Sequence, residues 1–161
     1  MGIMPETGDG FIIEHNDLID LIRAAVGKGA SISFRARGSS MSPFIKNGDL
    51  ITISPPDNPP PRCGDILAFL HQHTGGLIVH RLIKRKVGNF VMRGDNRHGT
   101  DGCVLKDALL GRVTGVKRDG KDIKRGLGPE RLLIAFFSRT GLLVPCVRLV
   151  RFFIRREKGT A

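Results

Sequence analysis

The stretch Arg37-Gly38-Ser39-Ser40-Met41-Ser42-Pro43 places three hydroxyls within four positions, bordered by glycine and proline. A serine becomes a nucleophile when a base takes its proton and donors hold the oxyanion that forms. In a glycine-bordered turn, backbone N–H groups are free to act as those donors, although most serines in such turns only satisfy the backbone. A candidate base, His80, follows in Leu77-Ile78-Val79-His80-Arg81. A histidine's ordinary pKa of about 6.5 leaves the ring neutral and able to accept a proton at pH 7. A lysine would need strong desolvation to do the same. Two carboxylates, Asp95 and Asp101, lie on the later glycine-rich stretch Gly94-Asp95-Asn96-Arg97-His98-Gly99-Thr100-Asp101. His71 and His73 have a metal-like spacing, but no third ligand is apparent. No metal and no cofactor are therefore expected. His71, His73 and His98 are expected in solvent. Asp49 and Asp65 each follow a glycine and are expected to shape turns.

These residues need a scaffold. Residues 16–29 show a helical apolar face of Leu18, Ile19, Leu21, Ile22 and Val26, with Asn16 or Asp17 as the cap and Gly27 and Gly29 as the stop. Alternation then predicts strands over 31–37 and 49–55. The proline-rich stretch 55–64 reads as a rigid loop, because proline has no ladder donor. Residues 65–70 and 77–88 read as strands around a turn at 71–76, and His80 falls on the second. A short strand and a glycine-rich loop fill 89–105, and a strand with a hairpin fills 109–123. The fold class is mainly β, with many short strands and tight turns. Residues 129–159 have a helical period, broken at Gly141 and Pro145, with Arg148, Arg151 and Arg155 spaced along it. The expected organisation is an N-terminal helical segment over 1–30, a β domain over 31–123 and a basic amphipathic helical segment over 124–161.

Composition agrees. Of 161 residues, 21 are glycine and nine proline, which favours strands and turns over a helix bundle. The formal charge of +11 suits an anionic partner. The excess is uneven: Arg131 to Lys158 carries seven Lys/Arg against Glu157 alone. A basic apolar tail suits a lipid interface better than nucleic acid, and no aromatic platform for base stacking is visible. Cys63, Cys103 and Cys146 lack metal or disulfide spacing and are expected as reduced, partly buried thiols. The N-terminus has no basic start and apolar run, and no stretch of about 18 uncharged apolar residues occurs, so neither a signal peptide nor a membrane span is expected.

The order of boxes is more specific than any one of them. Ser40-Met41-Ser42-Pro43, Gly48-Asp49, Gly64-Asp65, His80-Arg81 and Gly94-Asp95-Asn96 follow in sequence over residues 33 to about 115. This resembles the signal peptidase I / LexA-like superfamily of serine peptidases. With histidine where bacterial signal peptidases and SOS repressors carry lysine, it resembles the Ser-His branch, as in archaeal, endoplasmic-reticulum and SipW-like signal peptidases. The resemblance implies a compact LexA/signal-peptidase-like β fold. It implies Ser40 as nucleophile, His80 as general base and Asp101 as the group orienting His80. Asp95 becomes structural or supporting, Met41 lines the site, Pro43 shapes the turn, and Ser39 is the rival nucleophile. The substrate becomes a peptide or precursor protein bound as an added strand.

The departures also carry meaning. Gly38 stands where the family often has a hydroxyl that assists the oxyanion, so the hole would rest on backbone N–H groups, chiefly that of Ser40. Only 40 residues separate Ser40 from His80, which implies a minimal core without the large extra β domain of bacterial enzymes. The expected location is cytoplasmic; the basic C-terminal segment either packs on the β domain with its arginines in solvent or attaches the protein peripherally to the inner face of the membrane. A self-processing repressor is disfavoured: no Ala-Gly or Cys-Gly pair precedes Ser40. The competing reading is a catalytically inactive or regulatory binding module of the same fold that takes an anionic partner.

Overall fold

The computed structural model describes residues 15–57, 59–142 and 145. Helix α1 (His15–Gly27) buries Leu18, Ile19 and Ile22. Each such aliphatic contributes about 1.5–3 kcal/mol relative to exposure. Val26 packs partly against the same core, whereas Leu21, expected on the apolar face, is exposed. It falls at the edge of the stripe that the 3.6-residue period sets. The helix begins before Asn16, so Asp17 sits in its first turn, where a carboxylate complements the helix dipole.

The strands are β1 (Ile32–Arg35), β2 (Leu50–Ser54), β3 (Ile66–Leu70), β4 (Leu77–Lys86), β5 (Asn89–Arg93), β6 (Cys103–Leu105), β7 (Leu109–Arg118) and β8 (Lys121–Asp122). They form one eight-stranded sheet in the order β1-β2-β7-β3-β4-β5-β6, with β8 folded back on β7. Every pairing is antiparallel. The chain is thus mainly β, with two described helices.

Strand β3 shows why its sequence is a continuous apolar run. Side chains alternate between the two faces of a strand. Ile66 and Ala68 enter one core with α1, Phe34, Ile51 and Val116. Leu67 and Phe69 enter a second with Leu82, Phe90, Met92 and Val104. Both faces of this central strand are covered, so no polar alternation survives. Gly111 permits the close passage of β7 against β2, since a Cβ there would lie 2.2 Å from Ile53 Cγ2.

Helix α2 (Arg131–Thr140) buries Ile134, Ala135 and Ser138. Gly141 ends it with φ of 79°, and its N–H donates to the Phe137 and Ser138 carbonyls. The opposite side exposes Leu132, Leu133, Phe136 and Phe137. The rest of the expected basic helix, with Arg148, Arg151, Arg155 and Cys146, lies outside the described residues. Among the described residues, no helix is long and apolar enough to cross a membrane. Cys63 is half-buried as expected, but Cys103 is exposed, because it opens β6 at the outer edge of the sheet.

Candidate active site

Ser40 sits in the turn between β1 and β2. The Gly38 N–H donates to Asn47 Oδ1 at 2.8 Å, and Gly38 adopts φ of 93°, which favours glycine. The Met41 carbonyl accepts from the Phe44 and Ile45 N–H groups, while the Met41 side chain is buried in the core beside Ile45. The Ser42–Pro43 peptide is cis. Asp49 closes the turn as expected: its carboxylate accepts from the Lys46 N–H and from the Arg118 fork. Asp65 does the same for its own turn, accepting from the Arg62 N–H.

The loop after β5 meets this turn. The Asn96 N–H donates to the Ser40 carbonyl at 2.8 Å, and Asn96 Nδ2 donates to the Ser39 carbonyl. Gly94 makes the approach possible: a Cβ there would stand 2.8 Å from the Ser40 oxygen and 2.9 Å from His80 Nε2. His80 Nε2 therefore faces the Ser40 turn across Gly94. The other ring nitrogen, Nδ1, bonds Asp101 Oδ2 at 2.5 Å. His80 is only 3% exposed, and the Asp101 side chain only 9%. The Asp101 N–H donates to the Met92 carbonyl, which anchors the loop at that point.

Asp95 is engaged elsewhere. Arg81 Nε donates to Asp95 Oδ1 at 2.8 Å and Arg81 Nη2 to Asp95 Oδ2 at 2.7 Å, with both side chains fully buried. The remaining guanidinium nitrogen donates to the Gly64 and Gly126 carbonyls, and the group lies 5.4 Å from the Phe44 ring centre. Burial pushes the Asp95 carboxyl above the usual carboxylate range, against the downward pull of the Arg81 fork.

A cavity of about 240 Å³ opens beside this group, lined by Ser40, Met41 and His80 among others. Ser39 is exposed and does not line it. His73 and His98 are exposed, and His71 is half-buried with Nδ1 bonded to Thr74 Oγ1. Along the cavity, Ile78 to His80 pair with β3 on one side, while the ladder with β5 begins only at Arg81.

The matched family is now decisive. The Peptidase S24-like family model covers residues 5–114, more than half of the chain. The chain belongs to the Peptidase S24-like family. Its antiparallel sheet and two described helices are compatible with a compact LexA-like fold. No curated protein matches it. Within this Peptidase S24-like chain, sequence reasoning passed over three arginines. Arg81 was only a neighbour of His80, yet a cation inside an apolar strand is a signal, since it must find a buried partner. Arg93 ties the Arg97 and His98 carbonyls to that of Ser138 on α2. Arg97 lines the cavity. Neither of these two had a local pattern to mark it.

Proposed function

We propose that the protein is a serine endopeptidase of signal-peptidase-like type, from the Ser-His branch. The observation that carries this reading is His80, held by Asp101 through Nδ1, with Nε2 facing the Ser40 turn across Gly94. Ser40 Oγ attacks a peptide carbonyl as His80 Nε2 takes its proton. The tetrahedral intermediate collapses, the C–N bond breaks, and His80 returns the proton to the leaving amine. Water then repeats the sequence on the acyl-Ser40 ester and releases the carboxylate. Asp101 keeps the ring's proton on Nδ1 and balances the imidazolium. The Ser40 N–H, which donates to no described residue, serves the oxyanion. Residues 78–80 offer an edge on which an extended peptide can pair.

Family membership alone does not carry catalysis, and the competing reading is a non-enzymatic module of the same fold. Intact-mass labelling with a serine-directed acylating probe separates them. The wild type and Ser39→Ala should gain one adduct, and Ser40→Ala and His80→Ala none. A folded wild type that stays unmodified would favour the binding module.

A second part of the reading concerns location. The exposed Leu132, Leu133, Phe136 and Phe137 precede the basic sequence from Arg139 to Lys158. This supports peripheral attachment to anionic lipid on the cytoplasmic face. Flotation with vesicles of anionic and of neutral lipid tests it. Equal partitioning to both, or to neither, would count against it.

A further inference from the structure

The cavity beside Ser40 and His80 has an uneven charge. Its lining contains two cations, Arg37 and Arg97, and no carboxylate. The two acids nearest the centre are already taken, Asp95 by Arg81 and Asp101 by His80. Both arginines are exposed, and neither forms an ion pair with a described residue. The other lining residues include Ala36, Met41, Ile45 and Leu77, so the two arginines border a largely apolar hollow. Part of the shielding that weakens a surface charge pair is removed when a peptide fills such a hollow.

Arg97 is the better placed of the two. Its Cγ lies 3.2 Å from the point a Gly94 Cβ would occupy, and His80 Nε2 lies 2.9 Å from that point. Its backbone is fixed from both sides. The Arg97 N–H donates to the Gly94 carbonyl at 3.0 Å, and its carbonyl accepts from Arg93 Nε at 2.9 Å. The stem of the side chain is thus held next to the base, while the fork remains available. Arg37 comes three residues before Ser40, just beyond β1. A neutral peptide would leave both forks to water. A carboxylate would gain charge-assisted, two-point hydrogen bonds.

We infer that the site takes peptides with an Asp or Glu side chain beside the scissile bond, with Arg97 as its main contact and Arg37 as the second. The inference rests on the peptidase reading and names its substrate class.

The test uses the full chain and a pool of synthetic peptides in which all residue types are equally represented, with cuts read by mass spectrometry and Ser40→Ala in parallel. Ser40-dependent cuts should be enriched for Asp or Glu within two positions of the bond. A matched Glu/Gln peptide pair built on the best cut should differ about tenfold in kcat/KM, the scale of one hydrogen bond to a charged group. Arg97→Gln should collapse that ratio, mainly through KM, and Arg97→Glu should favour Lys in place of Glu. Lys121→Gln, a remote cation on β8, should preserve the ratio and so exclude a general effect of positive charge. Ser40-dependent cuts without acidic enrichment, or a ratio that survives Arg97→Gln and Arg37→Gln, would overturn the inference and leave the peptidase reading standing. Probe labelling of Ser40 with no cut anywhere in the pool would do the same. Absence of both labelling and cuts would remove the peptidase reading and the inference with it.

Discussion

Arg81, the residue directly after His80, forms a two-point ion pair with Asp95 that has no solvent exposure. Desolvating two charges is costly, so such a pair holds only with good geometry and further hydrogen bonds to the remaining donors. Here the Gly64 and Gly126 carbonyls take both Arg81 Nη1 donors, so four of the five guanidinium N–H groups are bonded. Asp95→Ala would leave a buried guanidinium unpaired and should cost about 3–5 kcal/mol. Urea denaturation measures it. Replacing both partners, as in Arg81→Met with Asp95→Leu, should recover much of the loss. If Asp95→Ala unfolds at the wild-type urea midpoint, the pair is not structural.

Asp101 should behave in the opposite way. Asp101→Asn keeps the shape but can donate to Nδ1, which puts the ring proton on Nε2, the wrong nitrogen for accepting from Ser40. Ser40 acylation should slow by roughly 10²–10⁴-fold, while stability stays within about 1 kcal/mol. The measurement is a labelling rate beside a melting curve. A larger loss of rate in folded Asp95→Asn than in Asp101→Asn would reverse the assignment.

Gly94 is the spacer between His80 and the Ser40 turn. Gly94→Ala would bring a methyl to 2.8 Å from the Ser40 carbonyl and 2.9 Å from His80 Nε2. One of the two must move. The labelling rate should fall at least tenfold, with a stability loss of about 1–3 kcal/mol from overpacking. Wild-type labelling in Gly94→Ala would mean that the turn and the histidine do not need this approach.

Glu130 gives a pH signature. The Gly126 N–H donates to Glu130 Oε1 at 2.7 Å and holds that carboxyl below its ordinary range, with help from its own and the Gly128 N–H groups. A folded-state value below the unfolded one stabilises above the unfolded pKa, about 4.3 for Glu, and is lost as pH falls through the folded value. The melting temperatures of wild type and Glu130→Gln should differ by a constant amount above about pH 5 and converge below it. A gap that does not change down to pH 3 would show that this charge does not hold the turn.

Most of the strands, and the order of the candidate site residues along the chain, are legible in local sequence. Alternation, glycine and proline mark every strand except β6 to within a few residues; β6 has only three residues and follows a glycine-rich loop that hides it. Ser40 and His80 stand out because a hydroxyl turn and a strand histidine recur in family order. These are local signals, carried by residues close together in the chain. Which carboxylate serves His80 was decided only in three dimensions. Asp95 and Asp101 share one loop, and no spacing separates them. His80 and Arg81 are adjacent on β4, so their side chains leave on opposite faces of the sheet. Arg81 takes Asp95 on the face that holds Ile66 and Val79, and Asp101 meets His80 on the face that holds Leu67 and Leu82. The same holds for the arginines at the cavity. Arg37 and Arg97 lie 60 positions apart in sequence, and only the contact of the Gly94 loop with the Ser40 turn puts them at one site.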